Sequence, residues 1–116
     1  MIVWHHLNTA VIYLTKDDLK QFNYKVGDTE GVVNYPLSME DVNLSVLITE
    51  KERKVKLSFR SKGEFNVNLL ARNYFNGGGH KNAAGGQTYS NIEKAISDIK
   101  AALEPVKEEL NYKLLY

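Results

Sequence analysis

Val42-Asn43-Leu44-Ser45-Val46-Leu47-Ile48-Thr49, then Glu50-Lys51-Glu52-Arg53, then Lys54-Val55-Lys56-Leu57-Ser58-Phe59-Arg60 is the stretch that decides the fold. In its first part Val42, Leu44, Val46 and Ile48 alternate with Asn43, Ser45, Leu47 and Thr49, the period of a half-buried strand. In its last part Val55, Leu57 and Phe59 alternate with Lys54, Lys56, Ser58 and Arg60. Two such runs joined by four charged residues predict an antiparallel hairpin, and its register decides which side chains share a face. Ser58 and Arg60 then lie opposite the Phe59 face. The second strand runs out at Arg60-Ser61-Lys62-Gly63, with a guanidinium, a hydroxyl and an ammonium at one edge. A solvated strand end and an anion site both fit that edge.

Downstream, Asn66 is a candidate cap for a helix. Val67, Leu70, Ala71, Tyr74 and Phe75 follow at i, i+3, i+4, i+7 and i+8, an amphipathic stripe. Asn76-Gly77 suits a left-handed helix end. Five of the chain's eight glycines then fall within residues 77–86, around His80-Lys81-Asn82. Gly77-Gly78-Gly79 before His-Lys-Asn-Ala-Ala predicts a loop feeding a short helical turn. Unpaired amides at the start of such a turn favour an anion. His80 and Lys81 would add side-chain donors, which is chemistry suited to a phosphate. A flexible turn between two elements is the alternative. Gln87-Thr88-Tyr89 reads as a strand, so strand, helix, loop and strand in that order suggest a crossover back into the same sheet. Ligands of open α/β sheets gather at strand ends and helix termini, which makes Arg60 and the glycine loop candidates for one pocket.

Ser90-Asn91-Ile92-Glu93 reads as a capping box opening the last helix. Ile92, Ile96, Ile99, Leu103, Val106 and Leu110 form one apolar stripe, either core or an oligomer seam, with Pro105 restarting the helix. Tyr112, Leu114, Leu115 and Tyr116, in the tail from Asn111 to Tyr116, offer a packing or partner surface. Upstream, Thr9–Leu14 is a short buried strand led by His5 and His6, which point to opposite faces and cannot easily share a metal. Thr15-Lys16-Asp17-Asp18 caps a short helix ending near Asn23, with Leu19 and Phe22 towards the core. Gly27-Asp28-Thr29-Glu30-Gly31 reads as a loop, and its carboxylates as solvated or capping rather than catalytic. Val32-Val33-Asn34-Tyr35 is too short to assign, and Pro36 ends it.

The composition is that of one ordinary globular domain: 116 residues, 43% hydrophobic and 25% charged, with a net charge of +1. So small a charge supplies no global field for nucleic acid, and anion binding must be local. The absence of cysteine excludes disulfides and thiolate metal sites. No apolar run approaches the roughly 18 residues of a membrane span. No signal-peptide pattern opens the chain, so a cytoplasmic protein is expected.

Lys56-Leu57-Ser58-Phe59-Arg60-Ser61-Lys62-Gly63 and Gly77-Gly78-Gly79-His80-Lys81-Asn82-Ala83-Ala84-Gly85 resemble the DHHA1 domain of the DHH phosphoesterases. Within that family the chain is most similar to the C-terminal domain of bacterial oligoribonucleases (nanoRNases) that also act on phosphoadenosine phosphate. Thr29-Glu30-Gly31-Val32-Val33-Asn34-Tyr35 and Met39-Glu40-Asp41-Val42 fit the same pattern. Family members often carry a fourth glycine where this chain has Asn76, a residue that tolerates a left-handed backbone. The resemblance implies a single α/β domain over residues 1–116, with a mixed sheet flanked by helices. It implies that Arg60, Ser61, Gly77, Gly78, Gly79, His80, Lys81 and Asn82 hold the phosphate of a nucleotide or of a short single-stranded RNA end. Catalysis would belong to a separate N-terminal DHH domain holding manganese. No catalytic residue and no metal site is expected in this chain. A nucleic-acid-binding appendage like that of alanyl-tRNA synthetases, or a dimerisation module seamed by the last helix, are the other readings.

Overall fold

The computed structural model describes residues 1–25 and 29–113. Strands β3 (Leu44–Lys51) and β4 (Lys54–Ser61) pair antiparallel along their whole length, with Leu44 opposite Ser61 and Lys51 opposite Lys54. Their turn is two residues rather than the expected four, because Glu50 and Lys51 continue the strand. Arg53 absorbs the tight reversal at φ 61°, in the left-handed region that a Cβ disfavours.

The hairpin is the middle of a six-stranded mixed sheet. On its β3 side lies β2 (Thr9–Leu14), parallel, and then β1 (Ile2–Trp4), antiparallel to β2. On its β4 side lie β6 (Ala83–Thr88) and the two-residue β5 (Gly78–Gly79), both antiparallel, giving the order β1-β2-β3-β4-β6-β5. The α/β class with a mixed sheet is therefore observed. The crossover is elsewhere than expected: β4 and β6 are antiparallel, and the one parallel pair is β2 with β3. A parallel pair needs a long connection. It is supplied by α1 (Lys16–Lys25), α2 (Thr29–Asn34) and the 3-10 turn Tyr35–Ser38.

That connection changes the burial of β3. Leu44, Val46 and Ile48 are buried, as the alternation predicts, but so are Ser45, Leu47 and Thr49. Helices α1 and α2 lie against β3, and α2 also reaches β4. Thr29-Glu30-Gly31, read as loop, is the start of α2, whose Val33 is buried. Gly27 and Asp28 lie outside the described residues. The reciprocal cap of α1 forms as read, with Asp18 N–H to Thr15 Oγ1 and Thr15 N–H to Asp18 Oδ2 both 3.1 Å. Leu19 and Phe22 are half-buried.

The opposite face carries the main core. Helix α3 (Val67–Tyr74) packs on β4, β5 and β6, and α4 (Ile92–Leu103) on β3. Val67, Leu70, Ala71, Ala95, Ile99 and Leu103 meet Val46, Leu57 and Phe59 in one cluster. Fully burying an aliphatic or aromatic side chain contributes roughly 1.5–3 kcal/mol, so this interlayer dominates stability. Tyr74, placed on the stripe by spacing, is 63% exposed. Asn66 Oδ1 accepts the Leu69 N–H at 3.1 Å and caps α3 as read. The cap of α4 is Asn91, not Ser90: its Oδ1 accepts the Lys94 N–H at 2.8 Å. Pro105 restarts the chain as the 3-10 turn Glu104–Val106, followed by α5 (Lys107–Leu110). The stripe from Ile92 to Leu110 is spent on the domain's own core. Asn43 then anchors the segment after α5, donating to Leu110 O at 2.7 Å and Tyr112 O at 2.9 Å. Leu114, Leu115 and Tyr116 lie outside the described residues.

Candidate functional site

The glycine stretch folds as a hairpin, and the helical turn expected after Gly79 is absent. The His80 N–H donates to Ala83 O at 2.7 Å and the Ala83 N–H returns to His80 O at 3.4 Å, closing a turn over Lys81-Asn82 between β5 and β6. Three amides of the expected unpaired row are bonded within the chain, that of His80 among them. Gly77 N–H donates to Ala71 O at 3.2 Å, and Gly79 N–H to Asn68 Oδ1 at 2.9 Å. The glycines have a different physical role. A Cβ on Gly77 would sit 1.9 Å from Gly85 O, and one on Gly86 would sit 2.4 Å from Phe75 O. No side chain fits at either position, so the hairpin lies flat against the end of α3. Asn76 makes the preceding bend at φ 52°. Phe75 holds the assembly down, its ring 5.5 Å from that of Phe59 and its carbonyl accepting the Gln87 N–H at 2.8 Å.

This packing brings the hairpin turn beside the end of β4. Arg60 pairs with Ala83, which is bonded across the turn to His80, so Arg60 and His80 stand two strands apart, about 10 Å between Cα atoms. Strand β6 lies between them, so the strand end and the hairpin turn are neighbours across one strand. Ser61 and Asn82 are joined directly: Ser61 N–H donates to Asn82 O at 3.0 Å, and Asn82 Nδ2 donates to Ser61 Oγ at 2.9 Å. Ser61 is buried, and its hydroxyl proton goes to Phe65 O at 2.7 Å. Lys81 is exposed and paired with Glu64 at 2.8 Å, and that lysine's hydrogen bond and then its charge hold the Glu64 carboxyl below the usual range. Lys62 turns away to donate to Leu37 O and Met39 O at 3.0 and 2.8 Å. The Tyr112 hydroxyl donates to Lys62 O, and burial pushes its pKa up.

Arg60 is the cation at the centre. Its side chain is only 17% exposed, folded along the sheet so that Nη1 donates to Phe59 O at 2.9 Å. Nη2 donates to Glu30 Oε1, from the first turn of α2. Through that hydrogen bond first and its charge second, Arg60 holds the Glu30 carboxyl below the usual carboxylate range. Reading residues 27–31 as a solvated loop missed this pair. A carboxylate of the chain's own therefore occupies the guanidinium.

At the other end of β4 the same polar face opens into a cleft of about 750 Å³. Lys54, Lys56 and Lys51 border it, across from Gly77, Gly78 and Gly85. The two histidines near the start of the chain part company. His5 pairs with Asp41 at 3.1 Å and His6 with Glu104 at 2.9 Å, each well exposed and in a 3-10 turn, not on a strand. Among the described residues no three His, Asp or Glu side chains converge as metal ligands, and no helix is long and apolar enough to cross a membrane.

A family model of the DHHA1 domain matches residues 7–108. The chain belongs to the DHHA1 domain family. Among relatives, the bifunctional oligoribonuclease and PAP phosphatase NrnA of Bacillus subtilis is 30% identical over 93 residues, which are 78% of this chain and 29% of that protein. A crystal structure of an exopolyphosphatase-related protein from Bacteroides fragilis is 43% identical, with a TM-score of 0.87 over 96% of this chain and 33% of the other. The pGpG-specific phosphodiesterase PggH of Vibrio cholerae shares the fold at 20% identity, with a TM-score of 0.61 over 95% of this chain and 34% of the other. This DHHA1 domain thus spans about a third of the length of these proteins.

Proposed function

We propose that this DHHA1 domain holds the terminal phosphate of a nucleotide or short RNA for hydrolysis by a DHH domain acting beside it. The observation that carries the proposal is the setting of Arg60. A largely buried guanidinium on a sheet face bears a carboxylate as its anionic partner, next to a hairpin kept flat by glycines. Burial strengthens charge-assisted hydrogen bonds, and the planar fork of arginine suits a phosphate. His80, exposed on the turn, supplies a second donor to the same ligand in this reading. Ser61 and Asn82 serve by bracing the turn against β4, and Gly77 and Gly79 by letting it lie flat. Lys81, exposed at the tip, would add positive potential only on leaving Glu64 for the ligand. The relative named for oligoribonuclease and PAP phosphatase activity supports a nucleotide as the ligand. Manganese and the catalytic ligands belong to the DHH domain in this reading, and the site of action is the cytoplasm.

The test is an NMR titration of the chain with 5′-AMP. Hydrogen bonds to charged groups contribute roughly 1.5–3 kcal/mol, so Arg60→Ala should weaken binding about ten-fold or more. The fold should persist, because Arg60 lies off the main core. Shift changes confined to residues far from 60–63 and 77–82, or unchanged affinity in folded Arg60→Ala, would refute the proposal.

A further inference from the structure

Strand β4 presents more than Arg60 on its polar side. Lys54, Lys56, Ser58 and Arg60 occupy alternate positions, while Val55, Leu57 and Phe59 between them are buried. Alternate residues of a strand stand about 6.7 Å apart, so the four positions mark a line about 20 Å long. Beside that line, β6 offers almost no side-chain wall at Arg60 and Ser58, which face Ala83 and Gly85, and sets Gln87 opposite Lys56. The line ends in the 750 Å³ cleft bordered by Lys51, Lys54 and Lys56. Glu52 also borders the cleft, but its carboxylate is engaged by Lys16 at 3.1 Å. Lys54 Nζ donates to Gln87 Oε1 at 2.9 Å, and Gln87 Nε2 donates to the Tyr89 hydroxyl at 3.2 Å. Tyr89 is 72% exposed. Cations in line, a bare floor and an exposed aromatic ring are the parts that hold a single nucleic-acid strand without reading its sequence.

We infer that the Lys54–Lys56 cleft is a second anion subsite, taking the internal phosphates of an oligonucleotide whose terminal phosphate lies at Arg60, with Tyr89 stacking a base. The inference rests on the proposed function for the Arg60 end alone. It makes the domain a selector for short strands over mononucleotides, since a single phosphate reaches one end of the line. At about 3.4 Å per nucleotide in a stacked strand, and more in an extended one, 20 Å accommodates on the order of four nucleotides. A polyphosphate chain would satisfy the lysines but not the ring, so the test includes one.

The test measures binding of 5′-AMP, a 5′-phosphorylated tetra-adenylate and a short linear polyphosphate to the full chain at several salt concentrations. The tetranucleotide should bind about ten-fold tighter than AMP at low salt. In Lys54→Gln/Lys56→Gln that advantage should vanish while AMP affinity stays unchanged. The salt slope for the tetranucleotide should fall by about 1.4, two contacts at about 0.7 each. Tyr89→Ala should weaken the tetranucleotide and leave polyphosphate unaffected. AMP binding with no gain for the tetranucleotide overturns the second subsite and spares the Arg60 site. Lysine-dependent tetranucleotide binding without AMP binding does the reverse. Failure of all three ligands to bind overturns both, and a polyphosphate that outcompetes the tetranucleotide overturns the assignment to a nucleic-acid strand.

Discussion

Glu30→Gln should tighten anion binding at Arg60, because the carboxylate now on the guanidinium must leave before a phosphate can take its place. The size of the effect follows from exposure. Arg60 is 17% exposed, but the Glu30 side chain is 60% exposed, so water and salt screen the pair. Pairs with an exposed member contribute about 0.2–1 kcal/mol, below a fully sequestered charge-assisted bond. Removing that competition should lower the Kd for 5′-AMP by a factor between about 1.4 and 5, one factor of ten being 1.36 kcal/mol. The pH dependence has a definite sign. Glu30 has a lowered pKa in the folded chain, so the pair's contribution to stability is complete above the ordinary carboxylate range. It is lost as the pH falls through the folded-state value. Acid should therefore free Arg60. Sulfate, whose charge is constant across that interval, should bind wild type more tightly as the pH drops, with a smaller rise in Glu30→Gln. Calorimetric titration of both proteins at two pH values measures this. Equal or weaker binding by folded Glu30→Gln at neutral pH would refute the competition and show that Glu30 orients Arg60 for its ligand.

Two glycines should respond oppositely to alanine. Gly86→Ala places a methyl 2.4 Å from Phe75 O and 3.0 Å from Phe75 Cβ, so it should cost about 1–3 kcal/mol and lower the melting temperature by several degrees. Gly31→Ala, in helix α2 with nothing within 4 Å of the added methyl, should stabilise by about 0.5–1 kcal/mol in a urea melt. Ser45 Oγ is buried and has no hydrogen-bond partner among the described residues. Ser45→Ala should therefore leave stability unchanged or raise it by up to about 1 kcal/mol, since no bond is lost and a desolvated hydroxyl is removed.

What was legible in the sequence was whatever depended on local period and on caps within one turn. The alternation from Val42 to Arg60 placed the hairpin and put Arg60 opposite Phe59. Asn66 and the Thr15–Asp18 pair capped their helices as read, because each needs only a side chain and an amide three residues away. The readings that failed depended on partners distant in the chain. The alternation shows which residues of β3 share a face, but not whether a helix covers the second face. Leu47 at a position expected to be polar was the one local sign of α2's cover. In the same way, a glycine triplet before His-Lys-Asn fits a helix entry or a tight hairpin. The choice is made by Gly85 O and Phe75 O, which leave no room for side chains at Gly77 and Gly86. Glu30 was not legible as the partner of Arg60, because a 30-residue separation carries no pattern.

These failures share a cause that also explains where the candidate site lies. The sheet's second face is divided: α1 and α2 cover β3, α2 reaches the near side of β4, and β6 carries mainly small residues along the register positions beyond it. A strand with one face on the core and the other at the margin of a helical layer can support charges that are partly desolvated yet reachable. Arg60 stands at that margin, and Lys54 and Lys56 lie farther along the same strand. Were α2 a solvated loop, Arg60 would lose both its partner and much of its burial, leaving an ordinary surface cation of little binding value. The helix hidden in Thr29–Asn34 thus shelters the guanidinium and supplies the carboxylate paired with it, which the proposed ligand would have to displace. An intervention that unravels α2 without touching Arg60, such as Val33→Gly, should abolish both effects together. Glu30→Gln should remove only the competition.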